Sequence, residues 1–208
     1  MPLYIGISLH YDDRLMVKLR EMFKYAMDRL TENHKSSNIE IMVNAIQEIW
    51  IQGKKEHSGW RKPDDYHVTT YFLGKDAEKL EHELFTSFTE KVEIPVEIYA
   101  LVIVPGKLIT GICFPDHPVG NRCPHVTLMT NEWKPVMSNA LLEESCTRGT
   151  RSPFAEPYEE LRHSRKVKES HQVLNGQVKV DRNGPTSSCY FIALEEPVTF
   201  RGLTKIYY

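Results

Sequence analysis

The residues best suited to chemistry in this 208-residue chain are two copies of one tripeptide, His67-Val68-Thr69 and His125-Val126-Thr127. Histidine is the side chain whose ordinary pKa allows it to act as base or acid near neutral pH. Two imidazoles could divide the proton transfers of a phosphoester hydrolysis. One takes a proton from an attacking water while the other gives one to the leaving oxygen. Threonine hydroxyls beside them could donate to the non-bridging phosphate oxygens, where negative charge grows in the transition state. Such a mechanism requires no metal and implies no cofactor.

A bare His-x-Thr triplet says little, because a chain of this composition yields on the order of one by chance. Its setting says more. Both copies sit in short runs rich in β-branched and aromatic residues, Tyr66 to Leu73 and His125 to Met129, which read as strands. Strand alternation sends residues i and i+2 to one face. Each copy therefore presents an imidazole beside a hydroxyl, with Val68 and Val126 turned into packing. Facing each other across a cleft, the two strands would converge four functional groups on a small volume.

Other elements must hold these strands. Leu3 to Leu9 alternates as a strand, with Tyr4, Gly6 and Ser8 on its polar face. Asp12 or Asp13 can cap a helix in which Leu15, Leu19, Met22, Phe23, Ala26, Met27 and Leu30 recur at helical spacing. Asn33 to Asn38 is a polar break. Ile39 to Ile51 is apolar but ambiguous: Ile41, Ala45, Ile46 and Ile49 fit a helix, while its end could continue as a strand. Gly53 to Asp65 reads as a basic loop. Asp76 opens a second predicted helix, through Leu80, Leu84, Phe85 and Phe88. Glu93 to Val104 and Leu108 to Phe114 read as strands around the Pro105-Gly106 turn, and Val136 to Cys146 as a helix. Asn175-Gly176 and Asn183-Gly184-Pro185 read as turns bracketing a hairpin arm over Gln177 to Val180, and Cys189 to Leu194 and Val198 to Tyr208 as closing strands. The order suits an α+β fold better than a doubly wound sheet. Residues 1–208 are expected to form one domain, with 147–188 as an insertion or loop region.

The two motifs carry a resemblance. His67-Val68-Thr69-Thr70-Tyr71-Phe72-Leu73-Gly74 resembles the first signature of the 2H phosphoesterase superfamily, H-x-T-L-x-F-L-G in its LigT-like branch. Pro124-His125-Val126-Thr127-Leu128 resembles the second, P-H-x-T-L. The resemblance implies a bilobal α+β fold in which two pseudo-symmetric lobes each give one strand to a central cleft. It implies His67 and His125 as the acid/base pair and Thr69 and Thr127 as phosphate ligands, with either histidine in either role. It implies hydrolysis of 2',3'-cyclic phosphate termini of RNA or nucleotides to a phosphomonoester, the 2'-phosphate. The alternatives are a phosphodiesterase of 2'-5' oligonucleotides or other small cyclic phosphates, and a non-catalytic reader of RNA ends. The chain departs from the pattern at Thr70, where the family usually has Leu, and after Leu128, where Met129, Thr130 and Asn131 supply no Arg. It therefore reads as a divergent branch.

Substrate contacts are sought among aromatics and cations near the motifs. Tyr71 continues the inward face of its strand, and Tyr4 lies on the polar face of the first strand. Trp60 and Trp133 flank the motifs and could stack a base, and Arg122 could hold a phosphate. Arg61, Lys62, Lys75 and Lys107 are further candidates for a second phosphate.

Acidic residues number 28 against 26 basic ones, giving a net charge of −2. That balance argues against a protein gripping long nucleic acid by bulk electrostatics but allows a local basic pocket. Expected partners are RNA ends or a nucleotide cyclic phosphate, with no membrane, and the protein is expected to be a monomer. The N-terminus lacks a signal-peptide pattern and no apolar run approaches a bilayer span, so a cytoplasmic or nuclear location is expected. Four cysteines without a CxxC pair fit reduced thiols rather than a zinc site or disulfide framework.

Overall fold

A computed structural model describes residues 4–10, 12–72, 88–147, 149, 152–181 and 183–207, without the side chains of Tyr71 and Phe72. The predicted helix from Asp76 to Phe88, Lys75 and the Leu73-Gly74 end of the first signature thus lie largely outside the described residues, as does the Tyr71 side chain.

The first strand, β1, spans Tyr4–Leu9. Asp12 then caps α1 (Asp13–Asn33), its carboxylate accepting from the Leu15 amide at 2.7 Å. All seven apolar residues predicted for its inner face are buried. The ambiguous segment is helical: α2 runs Ser37–Trp50, capped by Ser36, and buries Ile39, Met42, Ala45, Ile46, Ile49 and Trp50. This phase turns Ile41 outward, to 54% exposure. The expected loop from Gly53 to Asp65 contains a small hairpin, β2 (Glu56–His57) and β3 (Trp60–Arg61). The two motif strands are β4 (His67–Phe72) and β7 (His125–Thr130). Between them lie β5 (Glu93–Val104) and β6 (Leu108–Cys113).

After β7 come α3 (Met137–Leu142), a π-helical turn over Glu143–Thr147, and α4 (Ala155–Ser164). The α4 helix lies within the segment expected to be loop. The chain closes with β8 (Val173–Val178) and β9 (Ser187–Tyr207). Two readings are corrected here, one turn and one strand division. Asn175-Gly176 is inside β8, where Gly176 pairs with Cys189. A Cβ on Gly176 would come within 2.4 Å of Pro153, so this glycine permits a close approach rather than a turn. The two closing strands are one 21-residue strand that pairs on one edge with β5 and on the other with β8 and then β1.

Among the described residues, every strand belongs to one antiparallel sheet, ordered β2-β3-β7-β4-β1-β9-β5-β6, with β6 also pairing β7 and β8 pairing β9. The six strands β7, β4, β1, β9, β5 and β6 therefore form a closed ring. One apolar core joins α1 and α2 to one face of these strands. A second gathers Leu141, Leu142, Phe154, Tyr158, Leu161 and Phe191 around α3, α4 and the opposite face. The class is α+β. All four cysteines are free and buried. Among the described residues, no helix is long and apolar enough to cross a membrane.

Candidate active site

The site begins with one pairing. Val68 of β4 lies opposite Val126 of β7 in antiparallel register, and both valines are fully buried. Antiparallel succession then sets His67 opposite Thr127 and Thr69 opposite His125, four side chains on one face. Directly opposed Cβ atoms lie roughly 5 Å apart and diagonal ones roughly 7–8 Å. The two imidazoles occupy one diagonal of this square and the two hydroxyls the other. Of the four, His67 and Thr127 line a cavity beside these strands, whereas His125 and Thr69 are not among its lining residues.

The two histidines have different surroundings. His125 is 8% exposed, and its Nδ1 lies 2.8 Å from the Cys123 carbonyl oxygen. A carbonyl can only accept, so Nδ1 carries the proton and Nε2 of the neutral ring has a free lone pair. Burial pushes its pKa down to about 4; the Cys123 carbonyl opposes that shift, and the nearby His67 adds to it. His67 is half-buried, with Asp65 Oδ2 3.5 Å from its Nδ1. That contact is at the outer limit of a hydrogen bond, and among the described residues Nδ1 has no better partner. Asp65 also accepts from Ser8 Oγ at 3.1 Å and from the Tyr207 hydroxyl at 2.9 Å. Its pKa is held down at about 2, chiefly by His67, with Tyr207 and Ser8 adding to the effect against the cost of burial.

The hydroxyls are also placed. Thr127 Oγ1 lies 2.8 Å from Ser138 Oγ at the start of α3. Gly6 of β1 sits beside Thr69, and a Cβ there would come within 2.6 Å of the Val68 carbonyl oxygen. Only a glycine lets β1 approach β4 this closely. Thr70, the departure from the signature, is buried and donates to the Ile5 carbonyl at 3.1 Å. Its hydroxyl is thus satisfied inside the β1–β4 pair, where a leucine could make no such bond.

A cavity of about 500 Å³ opens in front of His67 and Thr127, with Tyr4, Arg61, Lys62 and Asp65 in its lining. Tyr4 stacks on Tyr207 with centroids 4.4 Å apart and on His67 at 5.3 Å and forms part of the cavity wall. Trp60 is buried at 1% exposure in the first core and offers no face to a base. Trp133 packs against the second core with Lys107 Nζ 5.0 Å over its ring. Arg122 is exposed, and its carbonyl accepts from Tyr158. Neither belongs to the cavity lining. Asp65, Tyr207 and Ser138 were missed. Asp65 had a signal, since it lies two residues before His67 and alternation puts it on the same face. Tyr207 and Ser138 reach the site only through tertiary pairing.

Among the described residues, one group has metal-ligand spacing, Glu156, Glu160 and His171. The Lys168 ammonium already sits 3.1 and 2.8 Å from those two carboxylates, so a lysine serves there as the cation.

No protein-family model and no curated protein matches this chain. A solved structure described as the crystal structure of a fungal RNA kinase aligns with all of this chain at 14% identity and a TM-score of 0.49. The chain spans 46% of that structure's length. A likeness so distant assigns neither family nor activity.

Proposed function

We propose that this chain is a metal-independent phosphodiesterase of two-lobed 2H type, which opens the 2',3'-cyclic phosphate end of RNA or a nucleotide to a phosphomonoester. The observation that supports this reading is the Val68–Val126 pairing, from which strand alternation turns both imidazoles and both hydroxyls to one face, with His67 and Thr127 of the four in the cavity lining. The ring of strands supports the two-lobed description, because β4 with β1 and β7 with β6 each bring one motif to the junction.

The surroundings of the histidines favour distinct roles. His125 is neutral near pH 7, with Nε2 unprotonated, and takes the proton of the attacking water. As the water oxygen bonds to phosphorus, the bond from phosphorus to one ribose oxygen breaks. His67 donates its Nε2 proton to that oxygen, with the Asp65 carboxylate beside its Nδ1 orienting the ring. Thr69 and Thr127 donate to the non-bridging oxygens as their charge grows. The product keeps the phosphate on the other ribose oxygen, expected to be O2'. His67 then regains a proton and His125 loses one to solvent.

The test is turnover of an RNA oligonucleotide ending in a 2',3'-cyclic phosphate by the purified protein in EDTA, with the monoester separated chromatographically. Turnover undiminished by EDTA is expected. Binding of the end without turnover would replace the enzyme by an RNA-end reader.

A further inference from the structure

Resting on the phosphodiesterase reading, we propose that Arg61 and Lys62 form a second phosphate subsite, which takes the phosphodiester on the 5' side of the terminal nucleotide. The preferred substrate is then the end of a single-stranded RNA rather than a free nucleoside cyclic phosphate.

The cavity that exposes His67 and Thr127 also exposes Arg61 and Lys62. Their separation from the reacting centre is set by strand geometry. Arg61 pairs with Thr130, three residues beyond Thr127 on β7, or about 10 Å along the strand. An arginine side chain spans much of that distance, so its guanidinium can meet a phosphate adjacent in the chain to the one being cleaved. Bidentate recognition of a phosphate by Arg, with Lys as a point charge, is the usual division of labour.

Lys62 is no ordinary surface lysine. Its ammonium lies 4.1 Å from the centroid of the Trp50 ring, and among the described residues no carboxylate pairs with it. Burial lowers its pKa, and the nearby Arg20 lowers it further. The Trp50 ring holds the ammonium in place, and Arg20, bonded to the Trp50 carbonyl at 3.0 Å, adds a second positive charge nearby, so an anion entering the cavity meets fixed positive charge. The acidic residues of the same cavity do not supply that anion: Asp65 is engaged by Ser8, Tyr207 and His67, and Asp64 is exposed to solvent.

The support beneath the pair is also built. The β2–β3 turn places Ser58 and Gly59 at positive φ, with the Gly59 α-carbon turned so that a Cβ would strike Asn131 at 2.5 Å. Asn131 donates to the Ser58 carbonyl at 3.1 Å. The hairpin is thereby clamped to the end of β7, fixing Arg61 and Lys62 relative to the motif strand.

Three substrates test the proposal: a nucleoside 2',3'-cyclic phosphate with a 5'-hydroxyl, a dinucleotide with the same terminal nucleotide, and that dinucleotide with a neutral methylphosphonate linkage. The native protein is expected to show kcat/KM at least tenfold higher for the dinucleotide than for the other two. The Arg61→Gln/Lys62→Met variant, with its fold checked by thermal melting, is expected to bring that ratio close to one. Equal values for all three, or a methylphosphonate dinucleotide as good as the natural one, would overturn the subsite while leaving the phosphodiesterase reading intact. If none is turned over, that reading fails, and calorimetry with the corresponding 2'-phosphate products decides the subsite. Tenfold tighter, salt-sensitive binding of the dinucleotide product supports it, and equal affinities overturn it.

Discussion

Asp65 Oδ2 and Nδ1 of His67 lie 3.5 Å apart, and the same carboxylate is anchored from β1 by Ser8 and from the end of β9 by Tyr207. The carboxylate therefore orients the ring without itself reaching the cleaved bond. Asp65→Asn is expected to lower kcat by about ten- to a hundredfold with little change in KM, separating positioning from binding. Tyr207→Phe, which removes one anchor, should show a smaller loss in the same direction. A change confined to KM in either variant would assign Asp65 to substrate contact instead.

The two histidines should be individually indispensable. His67→Ala and His125→Ala are each expected to reduce turnover by about a hundredfold or more, and the double variant by little beyond the worse single one, because one proton relay is broken in every case. The comparison is made by single-turnover rates on one cyclic-phosphate substrate. Full additivity of the two losses would argue against a shared phosphorus centre.

The acid limb of kcat/KM should sit unusually low. His125 is the base and must be neutral, and burial holds its pKa at about 4 against an ordinary 6.5. Activity is expected to fall only as pH drops through about 4, whereas an exposed histidine base would lose it near 6.5. The same shift has a stability counterpart. Below about 6.5 the unfolded chain binds a proton that folded His125 refuses until about 4, so stability declines as pH falls across that window. His125→Gln should flatten this part of a denaturation-versus-pH curve. Asp65 adds a second decline, since its folded pKa of about 2 makes its contribution full above about 3.8 and lost as pH approaches 2.

Gly6→Ala should affect structure and activity together. The added methyl would lie 2.6 Å from the Val68 carbonyl oxygen, a backbone atom that cannot step aside without moving β4. A loss of about 1–3 kcal/mol is expected by urea denaturation, with a fall in turnover because Thr69 moves with the strand. Val68→Ala, which empties a fully buried position without pushing the strands apart, should cost about 2 kcal/mol and leave a larger fraction of the turnover.

Alternation within each strand was enough to place His67 with Thr69 and His125 with Thr127, because the side-chain period of a strand is local. The same holds for α1, whose seven inner residues follow a helical period, and for the Asp12 cap. What the sequence left open was decided by contacts distant along the chain. Whether Ile39 to Trp50 would be helix or strand depended on which face the sheet required. Gly176 looked like a turn residue until Pro153 came against it, and β9 looked like two strands until β5 paired along both parts. The relation between the motifs, their diagonal, and the unlike surroundings of the two imidazoles follow from the Val68–Val126 pairing and from Asp65 and the Cys123 carbonyl. Local pattern fixes which way a side chain points. What it points at depends on register between strands far apart in the chain, and register is set by packing.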